Sequence, residues 1–134
     1  MLTRTLFSAL VMFLLLGGTG MVARAATSCE ALQPALVLHA GSTLKVVRPR
    51  LLHAANPQYP SWLRSQPVHR RVSVCVLVDA AGRVSKTAFA LRSGYPALDA
   101  SAQRAALDSR FAPGTVNGQS TSMAMQLDYR FDVP

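Results

Sequence analysis

The stretch VSVCVLVDAAG, residues 72–82, decides the fold that this 134-residue chain is expected to adopt. Valine stands at every second position from 72 to 78, a pattern typical of a β-strand with one buried face. Asp79 and Gly82 then supply turn chemistry, because glycine adopts the positive φ of tight turns without strain. Residues 84–91 are again largely apolar, so the sequence predicts a β-hairpin.

Three further elements surround this hairpin. Residues 61–63 predict a short helix that ends before the next proline. Residues 98–109 predict a second helix, because their apolar residues recur on one helical face. Residues 123–131 alternate between apolar and polar and predict a half-buried strand. The order α-β-β-α-β predicts an α+β fold, a three-stranded antiparallel sheet with two helices on one face.

Residues 1–25 have the pattern of a secretory signal peptide. An apolar run from residue 6 to residue 16 follows a basic residue and precedes Ala23-Arg24-Ala25, a typical cleavage site. Cleavage there would start the mature chain at Ala26. The alternative is that the apolar stretch is retained as a membrane anchor.

Behind the signal we expect an ordered lead-in, residues 26–56, and one folded domain, residues 57–134. The face of the first strand that carries Cys75 and Leu77 needs an apolar cover, which the lead-in can provide. Such a cover brings Cys29 close to Cys75, and these are the only cysteines of a chain predicted to reach an oxidising compartment. The sequence therefore predicts a disulfide between Cys29 and Cys75.

The charge balance is basic, with 14 lysines and arginines against 6 acidic residues. In an exported protein, this balance favours an anionic membrane surface or an acidic partner over nucleic acid. Simple solubility is the competing explanation for the same charge.

The sequence offers no arrangement typical of an enzyme. His39, His53 and His69 have no partner at i,i+4 spacing and no cysteine at zinc-site spacing. Ser93-Gly94 lacks the G-x-S-x-G elbow, since position 91 is leucine. The acidic residues include no pair that the predicted layout would bring together for acid–base chemistry. We therefore predict a protein that is not an enzyme and that needs neither a metal nor a cofactor.

An ordered series of short motifs runs from residue 57 to residue 131. The motifs are Pro57-Gln58-Tyr59-Pro60, the hairpin ending in Asp79-Ala80-Ala81-Gly82, Ser93-Gly94-Tyr95 with Leu98-Asp99, and Phe111-Ala112-Pro113-Gly114 with Asn117-Gly118. In this order and spacing they resemble the C-terminal domain of the TonB energy-transducer family. The resemblance covers essentially the whole predicted domain, and it implies a fold in which the last strand forms a sheet edge.

In that family, the edge receives an extended peptide of an outer-membrane receptor, the TonB box, as an added strand. An unpaired strand edge offers backbone donors and acceptors, and alternate side chains set the preference. The segment just before the Tyr-Pro pair also contacts the receptor peptide. The partner-binding residues that the resemblance implies are Asn56, Gln58, Tyr59, Met123, Ala124, Met125, Gln126, Leu127, Asp128, Tyr129, Arg130 and Phe131. Core packing explains Tyr59 equally well.

The resemblance predicts a periplasmic binding module that recognises an extended segment of an envelope protein, such as an outer-membrane TonB-dependent receptor, by strand addition. One alternative is a short transducer component, anchored in the inner membrane and facing the periplasm, that supports transport through such receptors. Another is a structural envelope protein that self-associates into a homodimer. Residues 1–25 contain no histidine for coupling to a motor complex, and residues 26–56 span only about 100 Å at full extension. These departures favour binding over energy transduction.

Overall fold

This computed structural model describes residues 28–34 and 43–133. The elements are α1 Ser28–Leu32, β1 Val46–Val47, β2 Arg50–His53, a 3-10 turn Ser61–Leu63, β3 Val68–Val78, β4 Val84–Leu91, α2 Pro96–Asp108, β5 Arg110–Ala112, β6 Gly114–Val116, β7 Gln119–Thr121 and β8 Met123–Val133. The predicted signal peptide and the apolar residues 35–39 lie outside the described residues. Within the described part of the chain, no helix has the length and apolar character needed to cross a membrane.

The main sheet is antiparallel and has the strand order β4-β3-β8. β3 and β8 pair without a register shift from Val68 opposite Val133 to Val78 opposite Met123. This confirms the predicted three-stranded sheet. β3 begins four residues before the valine alternation at Val72, because its long partner β8 continues the ladder to that point.

The turn between β3 and β4 forms as its residues predict. The Asp79 carboxylate accepts hydrogen bonds from the backbone N–H groups of Ala81 and Arg83, each at 2.9 Å. Gly82 has a φ of +79°, a conformation that costs glycine no steric penalty. These local contacts set the start of the β3–β4 pairing.

One face of the main sheet packs against α2 and the 3-10 turn, as predicted. The buried cluster on this face consists of Leu63, Val68, Val72, Val74, Val76, Val78, Leu98, Ala102, Ala106, Phe111 and Phe131. The valine alternation places four side chains of β3 here, and α2 contributes Leu98, Ala102 and Ala106 from one helical face. Burying one valine or leucine side chain stabilises a fold by about 1.5–3 kcal/mol, so this cluster dominates the stability.

A short helix covers the other face of the main sheet. Cys75 is fully buried in β3 and forms a disulfide with Cys29 of α1, with the two Cα atoms 4.9 Å apart. α1 contacts β3, β4 and β8. The predicted disulfide is therefore present, and α1 supplies the cover that the apolar second face of β3 requires.

Two small sheets were not predicted from the sequence. β6 pairs with β1 on one side and with β7 on the other, while β2 pairs with β5. The β6–β7 turn uses Asn117 and Gly118, which both have positive φ, as two-residue hairpin turns require. Asn117 also holds the lead-in, because it donates its N–H to the Lys45 carbonyl at 2.8 Å and accepts the Lys45 N–H at 3.0 Å. Part of the stretch between α2 and the last strand is thus strand-paired with the lead-in.

Candidate functional site

β8 is one of the two edge strands of the main sheet and the longer of them, with 11 residues against 8 in β4. β8 ends the strand order, and no other strand of residues 28–34 and 43–133 pairs with its outer side. The N–H of Ala124 donates to the side-chain oxygen of Gln33 at 3.0 Å and so points away from β3. Because backbone direction alternates along a strand and the β3–β8 register is continuous, Gln126, Asp128 and Arg130 also direct their backbone groups outward.

The side chains of β8 alternate in the same way. Met123 and Phe131 are buried in or beside the core, and Met125, Leu127 and Tyr129 pack against it. The even-numbered residues Gln126, Asp128 and Arg130 are exposed, and Ala124 is half-buried. The predicted half-buried strand therefore divides the predicted site residues into two sets. The odd-numbered set builds the core, while the even-numbered set faces solvent and directs its backbone to the open edge.

A groove lies beside the centre of this edge. Residues 54–57 form one wall, Leu127, Asp128 and Tyr129 form the other, and the volume between them is about 220 Å³. Leu51 and Ser109 complete its lining. The Ser109 hydroxyl accepts the N–H of Ala55 at 3.2 Å and donates to a carbonyl of α2 at 2.8 Å, so the lead-in wall is fixed to the helix. We call this space the β8 groove.

A second cleft lies at the beginning of β8. It has a volume of about 340 Å³ and separates Val46, Arg48 and Pro49 of the lead-in from Met123 and Ala124. Cys29 and Glu30 of α1, with Gln33 directly after it, form the remaining wall. The lead-in therefore flanks the β8 edge at both places, first near residues 123–124 and then near residues 127–129.

The three site residues predicted at the Tyr-Pro pair have different surroundings. Asn56 lines the β8 groove and, together with Gln58, a cleft against α2. Gln58 and Tyr59 line a further cleft against α2, where the Gln58 carbonyl accepts a hydrogen bond from the Ser101 hydroxyl. The Tyr59 ring lies 6.2 Å from the ring of Phe131 and packs against the core. The fold thus brings Asn56 to the edge, gives Tyr59 a packing role, and leaves the binding role of all three a prediction.

The carboxylate of Asp128 is held in its charged form. The Ser73 hydroxyl donates to the Asp128 carboxylate, and the Gln126 amide donates to it at 3.0 Å. These hydrogen bonds, led by that from Ser73 and aided by the charge of Arg71, lower the pKa of Asp128 despite an opposing effect of burial. Burial raises the pKa of the neighbouring Tyr129, so its phenol is neutral at ordinary pH.

Sequence reasoning missed several residues of this region. Gln33, Leu51 and Ser109 take part only because distant segments meet, and no local pattern marks them. Another such contact joins His69 to Asp132, because β3–β8 pairing places the Nδ1 of His69 3.3 Å from the Asp132 carboxylate. Within the described ranges, no group of three or more histidine, cysteine, aspartate or glutamate residues could hold a metal ion.

The described chain is a small α+β domain whose last strand ends an antiparallel sheet and has no strand partner on its outer side within the described residues. Residues 55–133 match the family model described as Gram-negative bacterial TonB protein C-terminal, and since this is more than half of the chain, the protein belongs to that family. The solution NMR structure of the Pseudomonas aeruginosa TonB CTD matches with a TM-score of 0.52. That match has 21% sequence identity and covers 63% of this chain and 86% of the other, and it shows the fold. No curated protein sequence matches the chain. The predicted resemblance and fold class are confirmed.

Proposed function

We propose that this domain binds an extended segment of an outer-membrane or other envelope protein by adding it as a strand to β8. Membership of the TonB C-terminal family supports a part in TonB-dependent transport across the bacterial envelope. The observation that carries the finer proposal is the outward-directed backbone of β8 beside the β8 groove. An open strand edge next to a groove is the arrangement that β-strand addition requires.

The lining of the groove favours a partner with alternating character. Side chains of an added strand that point to the α2 side would meet Leu51, Leu127 and Tyr129, with small alanines opposite. Side chains that point to the other side would meet Gln126, Asp128 and Arg130, which are exposed and polar. The best partner is therefore an extended segment in which apolar residues alternate with polar ones.

We place this binding in the periplasm. The predicted signal peptide exports the chain, and the family is that of Gram-negative envelope proteins. Retention of residues 6–23 as an inner-membrane anchor would instead favour the role of a short energy-transducer component. The mass of the mature protein distinguishes these cases, because an N-terminus at Ala26 excludes the anchor.

An NMR titration of the oxidised mature protein with TonB-box peptides tests strand addition. We expect shifts at residues 126–132, protection of the outward amides of β8 from exchange with solvent, and much smaller effects on β4. If no β8 amide changes its chemical shift at peptide concentrations up to the millimolar range, the proposal is wrong.

Two variants of one residue make the test specific to the backbone. Gln126→Pro removes an outward N–H, so the β3–β8 ladder should persist while peptide binding is lost. Gln126→Thr changes the side chain but keeps the N–H, so it should bind like the wild type. Analytical sedimentation of the unliganded protein tests for self-association. If dimers form as the protein concentration rises and Gln126→Pro abolishes them, β8 pairs with a second copy of the chain instead of a peptide.

We propose an anionic membrane surface as a second partner, on a separate observation. From residue 31 to residue 78 the chain contains no acidic residue. In this stretch Lys45, Arg48 and Arg50 are exposed, next to Val47 and Leu52, which are 49% and 58% exposed. Cations beside exposed aliphatic side chains suit a lipid surface with anionic headgroups.

Co-sedimentation with vesicles tests this second partner. The protein should sediment with phosphatidylglycerol vesicles and not with phosphatidylcholine vesicles. Replacing Arg48 and Arg50 with serine should reduce sedimentation severalfold, whereas Arg104→Ser on α2 should not. Equal binding to both lipids, or an equal effect of the two sets of variants, would rule out this surface.

A further inference from the structure

The feature that carries a further inference is the contact between α1 and the edge of β8. α1 is fixed covalently, because the Cys29–Cys75 disulfide joins it to the buried centre of the main sheet. Gln33 follows α1 directly, and its own N–H donates to the Glu30 carbonyl at 3.1 Å. Two restraints therefore hold the backbone of Gln33 in place: its hydrogen bond to the last turn of α1, and the disulfide that fixes α1 to β3.

Gln33 occupies a position on the edge that a bound strand would otherwise use. Its side-chain oxygen accepts the Ala124 N–H at 3.0 Å, across 91 residues of sequence. Cys29 lies close by, with its Sγ 3.9 Å from the side-chain oxygen of Gln126. In an added strand, a backbone carbonyl of the partner would accept the Ala124 N–H. The Gln33 amide thus takes the place of the first acceptor of the partner.

We propose that Gln33 is a specificity-determining residue that stops an added strand at Ala124 and so sets its register and length. This inference rests on the proposed strand addition. The outward groups beyond the stop belong to Gln126, Asp128, Arg130 and Asp132, four alternate residues of β8. The partner that fits is an extended segment of about seven residues, roughly 23 Å long at 3.3 Å per residue.

The stop also fixes the position of the partner relative to the β8 groove. The groove lies at residues 127–129, in the middle of the stretch that remains open. The partner therefore pairs with its central residue opposite Tyr129, the midpoint of residues 126–132, and its apolar side chains near the centre reach Leu127 and Tyr129. A slip by one residue would turn those side chains to the polar face. A fixed end is the feature that prevents such a slip.

Hydrogen exchange in the unliganded, oxidised protein tests the stop itself. Gln33→Ala should make the Ala124 amide exchange at least about fivefold faster, the size expected for one lost hydrogen bond. Gln33→Glu keeps an acceptor and should restore slow exchange, and Gln66→Ala, an exposed glutamine elsewhere, should have no effect. Unchanged exchange of Ala124 in Gln33→Ala overturns the inference while the proposed strand addition stands.

A peptide length series tests the consequence for binding. The probes are acetylated peptides of alternating valine and serine with five, seven and nine residues. In the wild type, affinity should rise up to seven residues and then level off, and Ala124 should show no peptide-dependent protection. In Gln33→Ala, nine residues should bind about fivefold more tightly than seven, with new protection at Ala124.

The outcomes separate the two proposals. Two results overturn the stop but leave strand addition intact. One is an equal gain in peptide affinity from seven to nine residues in the wild type and in Gln33→Ala, and the other is peptide-dependent protection of the Ala124 amide in the wild type. Absence of protection at any β8 amide in both proteins, with all three probes, overturns strand addition and the stop together.

Discussion

Phe111 donates its backbone N–H to the carbonyl of Gly82 at 2.9 Å, and this contact joins the β3–β4 turn to the strand that follows α2. The two backbones approach so closely because Gly82 has no side chain. A Cβ atom built on Gly82 would overlap the carbonyl oxygen of Phe111. The glycine of the predicted hairpin turn therefore has a tertiary role in addition to its local one.

Replacing Gly82 with alanine should destabilise the protein more than the same change at another left-handed glycine. A positive φ costs a residue with a Cβ about 1–2 kcal/mol, and the overlap with Phe111 adds about 1–3 kcal/mol. Gly94 has a φ of +88° but no atom within 4 Å of its would-be Cβ, so Gly94→Ala isolates the first contribution. Urea unfolding of both variants measures the difference. Equal losses of unfolding free energy would contradict the role given to the Phe111 contact.

The buried carboxylate at the start of α2 should matter through its hydrogen bonds. Asp99 is 5% exposed and accepts the N–H and the hydroxyl of Ser93, each at 2.8 Å. Asp99→Ala leaves the Ser93 N–H without a partner, which costs about 1–3 kcal/mol for a buried donor, whereas the Ser93 hydroxyl can still donate to the Tyr95 carbonyl at 3.1 Å. Asp99→Asn retains an acceptor and should lose less, and Asp108→Ala on the exposed surface of the same helix should be nearly neutral. Thermal unfolding of the three variants would refute this account if their midpoints coincide.

The hairpin, α2 and β8 could be predicted because their signals are local. Valine alternation in β3, the apolar face of α2 and the alternation of β8 each identify an element within a dozen residues. Cys29 and Cys75 could be paired because the apolar second face of β3 needs a cover and the chain has no other cysteine. In these cases local pattern and tertiary packing agree.

The walls of the candidate site could not be predicted in this way. β1 has only two residues, too few to show a periodicity in the sequence. It forms because Asn117, 72 residues after Lys45, makes hydrogen bonds with both the backbone N–H and the backbone carbonyl of Lys45. Nothing in the neighbouring sequence distinguishes Gln33 and Ser109 from other polar residues. Their importance comes from the fold, which places Gln33 beside Ala124 and Ser109 beside Ala55. Their roles depend on contacts between distant segments, and such contacts leave no trace in a short window of sequence.

The charge state of Asp128 gives the fold a defined response to acid. Hydrogen bonds, first that from Ser73, lower the pKa of Asp128 in the folded protein below its unfolded value. A group with a depressed folded pKa stabilises the protein above the unfolded value, about 3.9, and this contribution is lost as the pH falls through the folded pKa. Ser73→Ala should raise the pKa of Asp128 and make stability fall less steeply below about pH 4. NMR titration of the Asp128 carboxyl carbon checks this, with Ser85→Ala as a serine control that leaves the value unchanged; a titration curve that Ser73→Ala does not move would contradict it.

The Cys29–Cys75 disulfide should contribute strongly to the unfolding free energy, and its removal should leave the core intact. It joins residues separated by 46 positions, and closing a loop of that length stabilises a fold by up to about 4 kcal/mol. The core valines of β3 pack against α2 and not against α1, so the double variant Cys29→Ser, Cys75→Ala should stay folded with reduced unfolding free energy. Reduction of the wild type by dithiothreitol should lower its urea midpoint to a similar extent, while the double variant should not respond to the reductant. A wild type whose midpoint is the same with and without reductant, once mass analysis confirms reduction, would show that the covalent link of α1 to β3 does not stabilise the domain.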